Sequence, residues 1–125
     1  MLKGIDPRLN AEVLYALRAM GHGAVLAVVD MNFPAAAIAH KTVSGQVLRM
    51  ENLSAAQALD AVLSLMPLDT FVEDFAARME GAGDATKNSE VQAEAQAAID
   101  AAEGRHRPMV PVGRFEFYDR AASAF

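Results

Sequence analysis

His22 stands between Gly21 and Gly23, and Asp30-Met31-Asn32-Phe33-Pro34 follows at the far end of an apolar run. A histidine flanked by glycines has no bulky sequence neighbour, and the backbone around it bends freely. Histidine side chains titrate close to neutral pH, which suits them to proton transfer. An aspartate just outside the carboxyl end of a strand can orient an imidazole or accept hydrogen bonds from ligand hydroxyls. The pair therefore fits acid–base chemistry at one edge of a sheet. Plainer roles stand beside these. His22 could sit at the negative end of a helix dipole, and Asp30 could close an Asx turn into Asn32 and Pro34.

A second group lies near the end of the chain. Arg114, Phe115 and Tyr118 fall at helical spacing, and arginine and tyrosine side chains both hold sugar-type hydroxyls. An amphipathic helix with Phe115 and Tyr118 in the core explains the same pattern. His40 and His106 could join His22 and Asp30 around a metal, but no pair has compact ligand spacing such as i, i+4 on a helix. No metal or cofactor is expected. Arg105 and Arg107 read as a solvated basic surface rather than a phosphate clamp. The chain carries no glycine-rich phosphate loop and no nucleophile elbow.

The elements that must position these residues alternate. Asn10 to Met20 reads as a helix, with Asn10 as its cap, Val13, Leu14, Leu17 and Met20 on one face, and Gly21 as a left-handed stop. Ala24 to Val29 is an unbroken apolar run, the pattern of a strand buried on both faces. Asp30 ends it, and Pro34 is expected to forbid regular structure nearby. Val47 to Met50 is a further strand candidate. Ser54 caps a helix reaching about Met66, which Pro67 terminates. Phe71 to Met79 reads as a strand interrupted by Glu73-Asp74. A glycine- and polar-rich connection from Gly81 to Asn88 leads to an alanine-rich helix, Glu90 to Glu103, ending at Gly104. Its thin apolar stripe places it on the outside. Met109 to Val112 is a short strand kept at an edge by Pro111, and a terminal helix starts at Arg114. The alternation predicts a three-layer α/β fold, a mostly parallel central sheet flanked by helices.

With 125 residues, one domain spanning 1–125 is expected. A hydrophobic share of 53% supports a core, and a net charge of −5 argues against a nucleic-acid partner, which needs a concentrated basic face. No apolar run is long enough to span a bilayer, and the N-terminus lacks a signal core, so no membrane is expected. The absence of cysteine excludes disulfides and fits a cytoplasmic location.

Several segments in order resemble the ribose pyranase and fucose mutarotase family, closest to its fucose branch. They are Met1 to Ile5, Met20-Gly21-His22-Gly23, Asp30 to Pro34, Leu65 to Phe71, Ala77 to Glu80, and Arg114 to Ala121. The resemblance covers nearly the whole chain. It implies a cofactor-independent enzyme that interconverts anomers or ring forms of a free monosaccharide. His22 would be the general acid, Asp30 would bind the sugar or hold the imidazole, and Arg114 would contact sugar hydroxyls. It also implies a homo-oligomer, often a decamer of two stacked rings, with sites near subunit contacts. Three departures are visible. Ala24 stands where the family usually has an acidic residue. Met31 and Asn32 replace Ala-His in an Asp-Ala-His-Phe-Pro motif. The family pattern also runs on past the position of Phe125 into a strand with a Tyr-Gly-Asn motif that completes the pocket, so the sequence is expected to be a fragment. A non-catalytic sugar-binding or sensing protein of the same fold is the alternative. A phospho-receiver domain also places an aspartate after a buried strand, but the acidic pair and strand-end lysine it needs are missing.

Overall fold

The computed structural model describes residues 1–81, 84 and 86–125. Side-chain caps open three of its helices. The Asn10 carboxamide accepts the Val13 amide at 3.0 Å and starts α1 (Ala11–Ala19). Ser54 and Gln57 form a reciprocal capping box at α3 (Ala55–Leu63), after the short α2 (Ala35–Ala39). Ser89 and Gln92 repeat that box at α4 (Glu90–Glu103), which follows β1 (Ala77–Met79). Each such cap contributes about 1 kcal/mol by satisfying amides that have no partner inside the helix. Gly104 ends α4 with φ +69°, a conformation glycine adopts without steric cost. β2 (Val110–Val112) and α5 (Arg114–Ala122) complete the order.

β1 and β2 pair in parallel, Ala77 opposite Val110 and Met79 opposite Val112, with α4 as the crossover. The architecture is thus α/β, with helices around a small parallel sheet. One core cluster holds Leu9, Val13, Ala61 and Val62, packed round by Leu14, Leu26, Leu48 and Met66, so α1 and α3 share it. α4 packs on α3 and buries only Ile99, as its thin apolar stripe predicts.

Several elements depart from the sequence reading. The run 24–29 forms no strand. Val25 is exposed and Leu26 to Val29 are half-buried, lining a trough of about 960 Å³ with Leu48 and Met50 across it. The run 47–50 forms no strand either. Apolar composition reports burial, whereas a strand also needs a partner backbone beside it. Among the described residues, the 24–29 run bonds through the Ala24 amide to Gly21 and through the Val25 carbonyl, which accepts from the Phe125 amide at 2.8 Å. Of the expected strand Phe71 to Met79 only the last three residues pair, because exposed Glu73 and Asp74 keep the earlier part at the surface. Pro34 does not bar regular structure. It is the N-cap residue of α2, where the missing N–H costs nothing and the alanines behind it propagate a helix. Phe115, expected in the core, is 80% exposed, and Phe117 packs inward instead. Residues 82, 83 and 85 of the connection from Gly81 to Asn88 lie outside the described residues.

Candidate active site

α1 ends at Met20, whose amide bonds back to Ala16, so Gly21 does not act as a left-handed stop. The chain then reverses. The Gly21 carbonyl accepts the Ala24 amide at 3.0 Å, and Gly23 takes φ +82°. A turn with positive φ at its third position selects glycine there, and it displays the preceding residue at its tip. That residue is His22, with its side chain 78% exposed.

The carboxylate beside His22 is Asp69, not Asp30. Asp69 Oδ2 lies 3.6 Å from His22 Nε2, an ion-pair distance longer than a direct hydrogen bond. The other oxygen, Oδ1, accepts the Phe71 amide at 2.8 Å, which fixes the carboxylate on its loop. The Phe71 ring stands edge-on to the imidazole, with centroids 6.4 Å apart. Asp69 lies forty-seven positions from His22, in a stretch with no regular structure, so periodicity could not have flagged it. The only sequence signal was its place in the segment Leu65 to Phe71 that carries the family resemblance.

Asp30 does close an Asx turn. Its Oδ1 accepts the Asn32 amide at 2.9 Å and its carbonyl accepts the Phe33 amide at 3.2 Å. Its side chain remains at the rim of the trough. The turn delivers Phe33 onto α5, edge-on to Tyr118 at 5.1 Å and to Phe117 at 5.9 Å. One turn earlier on that helix, Arg114 donates through Nε and Nη2 to the Tyr118 hydroxyl, both at 3.3 Å. Arg114 is exposed and has no carboxylate partner among the described residues, so its remaining donors face outward. Through Phe33 the Asp30 turn is thus tied to Tyr118 and Arg114, and His22, Asp69 and Phe71 form another group. Among the described residues no hydrogen bond, ion pair or ring contact joins the two.

Arg105 is exposed, as expected, while His106, His40 and Arg107 sit at element ends or in structural contacts. His106 Nδ1 lies 2.6 Å from Asp100 Oδ2 at the end of α4, and this contact holds the Asp100 carboxyl below its usual range, helped by the Arg107 amide. His40 is the C-cap residue of α2. Arg107, read as solvated surface, is instead 6% exposed and paired with Glu103. Among the described residues no three His, Asp or Glu side chains converge on a metal position.

Helices and a small parallel sheet, with an imidazole–carboxylate pair displayed on the turn after the first helix, define a small α/β protein. The chain belongs to the RbsD / FucU transport protein family, whose model matches residues 3–125. The human fucose mutarotase is 40% identical over 127 residues, covering 99% of this chain and 80% of that protein. The crystal structure of protein Atu2016 is 50% identical with a TM-score of 0.96, covering 99% of this chain and 82% of that one. The crystal structure of a fucose mutarotase from Streptococcus pneumoniae in complex with L-fucose is 27% identical with a TM-score of 0.80, covering 98% and 84%. No helix among the described residues is long and apolar enough to cross a membrane.

Proposed function

We propose that this chain is a cofactor-independent monosaccharide mutarotase that interconverts the anomers of fucose or a closely related sugar. The observation that carries the reading is the exposed His22 imidazole held beside the Asp69 carboxylate, on a chain similar over nearly its full length to fucose mutarotases. Ring opening needs a proton on the ring oxygen and one removed from the anomeric hydroxyl. Protonated His22 gives its proton to the ring oxygen as the C1–O5 bond breaks. The anomeric hydroxyl proton leaves to solvent, to which His22 is open, and the open-chain aldehyde forms. Rotation about C1–C2 and closure on the other face return both protons. A group that is both acid and base near neutral pH serves each direction. Asp69, with Oδ2 3.6 Å from His22 Nε2, orients the imidazole. Asp30 and Arg114 bind sugar hydroxyls, with Tyr118 as a further donor or acceptor.

Because no hydrogen bond, ion pair or ring contact joins the two groups of side chains among the described residues, we propose that they close on one sugar across a contact between copies, in a ring-like homo-oligomer such as a decamer. An exposed large apolar side chain stands beside each: Phe71 next to His22, Met31 next to Asp30, and Phe115 next to Arg114. These exposed apolar side chains beside the polar groups support such a contact. We also propose that the trough lined by Leu26 to Val29 receives a further strand, which would complete a three-layer arrangement. Among the described residues Leu26 to Val29 make no backbone hydrogen bond, which supports this. The absence of cysteine supports a cytoplasmic setting for a single domain of this kind. Exchange NMR with fucose, ribose, galactose and rhamnose tests the function, since it reports binding and anomer exchange together. Acceleration of fucose anomer exchange over the buffer rate is the expected result, and binding without acceleration would leave a sugar-binding protein.

A further inference from the structure

We infer that Arg107 is a positioning residue for His22 and acts through Asp69, an inference that rests on the mutarotase reading of the His22 site. Arginine is rarely buried unless its donors are satisfied, and Arg107 is the buried charged residue of this chain among those described. Its guanidinium works in three directions. Nη1 donates to Glu103 Oε2 at 3.0 Å, on the last turn of α4. Nη2 donates to the Asp69 carbonyl at 2.6 Å. The plane lies over the Phe75 ring, 3.7 Å from its centroid, just before β1. The residue is itself clamped to α4. Its amide donates to Asp100 Oδ1 at 3.0 Å, its carbonyl accepts from Gln96 Nε2 at 2.6 Å, and the next amide but one, from Met109, returns to Gln96 Oε1 at 2.8 Å.

The consequence falls on an irregular segment, tied further along by Asp74 to Arg120 and by the Ala76 carbonyl to the Val110 amide. Residues 67–76 form no helix and no strand. Within it, Asp69 turns one oxygen to the Phe71 amide and the other towards His22. Arg107 fixes the carbonyl of that same residue, so the helix α4 sets where the Asp69 carboxylate stands. A planar fork is needed, because one donor must reach Glu103 while another, in a different direction, reaches Asp69. A lysine ammonium has the charge without that geometry. The carboxylate at Glu103 neutralises the guanidinium in place, so the carbonyl contact adds orientation rather than charge.

A double-mutant cycle in the full chain separates positioning from general support of the fold. The variants are Arg107→Lys, Asp69→Asn and both together, with Glu103→Gln as a milder loosening of the same anchor. Anomer-exchange rates at saturating L-fucose are read by exchange NMR, and the His22 ring Cε1–Hε1 resonance is followed with that of His40 as control. Arg107→Lys is expected to slow exchange about fivefold beside native Asp69. In the Asp69→Asn background it should have less than about a twofold effect, because residues that act through one another are not additive. The His22 resonance should move and the His40 resonance should not. Glu103→Gln should show the same pattern at smaller size. Equal losses in both backgrounds, or an unmoved His22 resonance, would overturn the inference. If the unaltered protein does not accelerate exchange, the mutarotase reading fails, and the His22 resonance alone then decides whether Arg107 positions it.

Discussion

Replacing Asp69 by Asn tests the site most directly, because it removes a charge and almost nothing else. The carboxamide oxygen can still accept the Phe71 amide that Oδ1 accepts at 2.8 Å, so the loop keeps its tie. What is lost is the negative charge 3.6 Å from His22 Nε2. At that distance two unit charges interact by about 1 kcal/mol in bulk water and about 5 kcal/mol at an effective dielectric of about 20. The imidazole is 78% exposed while the carboxylate is 23% exposed, which puts the pair near the watery end. Exposed pairs contribute up to about 1 kcal/mol, and that corresponds to about a fivefold change in rate when the carboxylate acts only through its attraction to the imidazole. Anomer exchange of L-fucose in Asp69→Asn, measured by exchange NMR with the melting temperature recorded alongside, should therefore fall about fivefold. A rate unchanged within experimental scatter would mean the pair plays no part. A loss of a hundredfold or more would also refute the reasoning, since it would make the carboxylate a direct partner of the sugar rather than a charge acting through His22.

His22→Ala should slow exchange by about 10²–10⁴-fold, the usual cost of losing a general acid, with melting temperature and assembly unchanged because the side chain packs on little. An unchanged rate removes His22 from the mechanism. Light scattering at micromolar concentration should give several times the 13.3 kDa of one chain, and Phe71→Asp together with Phe115→Asp should lower that mass; a monomer for the unaltered chain would refute the shared site. Arg8, bound to Asp6 through Nη2 at 2.6 Å, holds the Asp6 carboxyl at about 2, below the ordinary 3.8. A lowered carboxyl stabilises the fold above its ordinary value and loses that contribution as pH falls through about 2, so the melting-temperature deficit of Asp6→Asn should be present at pH 5 and shrink towards pH 2. A deficit that persists undiminished at pH 2 would contradict the assignment to charge.

Local chemistry was legible in the sequence wherever a short stretch carries its own solution. Asn10, Ser54 and Ser89 satisfy helix amides within three residues, and Gly104 ends α4 because only a residue without Cβ takes that φ freely. The Gly-His-Gly stretch forms a turn with His22 at its tip, and Gly23 rather than Gly21 takes the positive φ. The tertiary structure decided what these residues meet. The apolar run 24–29 looks like a strand from composition, yet ladder formation depends on a neighbour that no local pattern encodes. Phe115 and Phe117 both suit a buried helix face, and the ring of Phe33, brought in by the Asp30 turn, selects Phe117. Arg107 reads as solvated because arginine usually is, and becomes buried only because Glu103, Phe75 and the Asp69 carbonyl converge on it. The partner of His22 lies far along the chain, since the pairing of a side chain across a fold is set by packing and not by spacing.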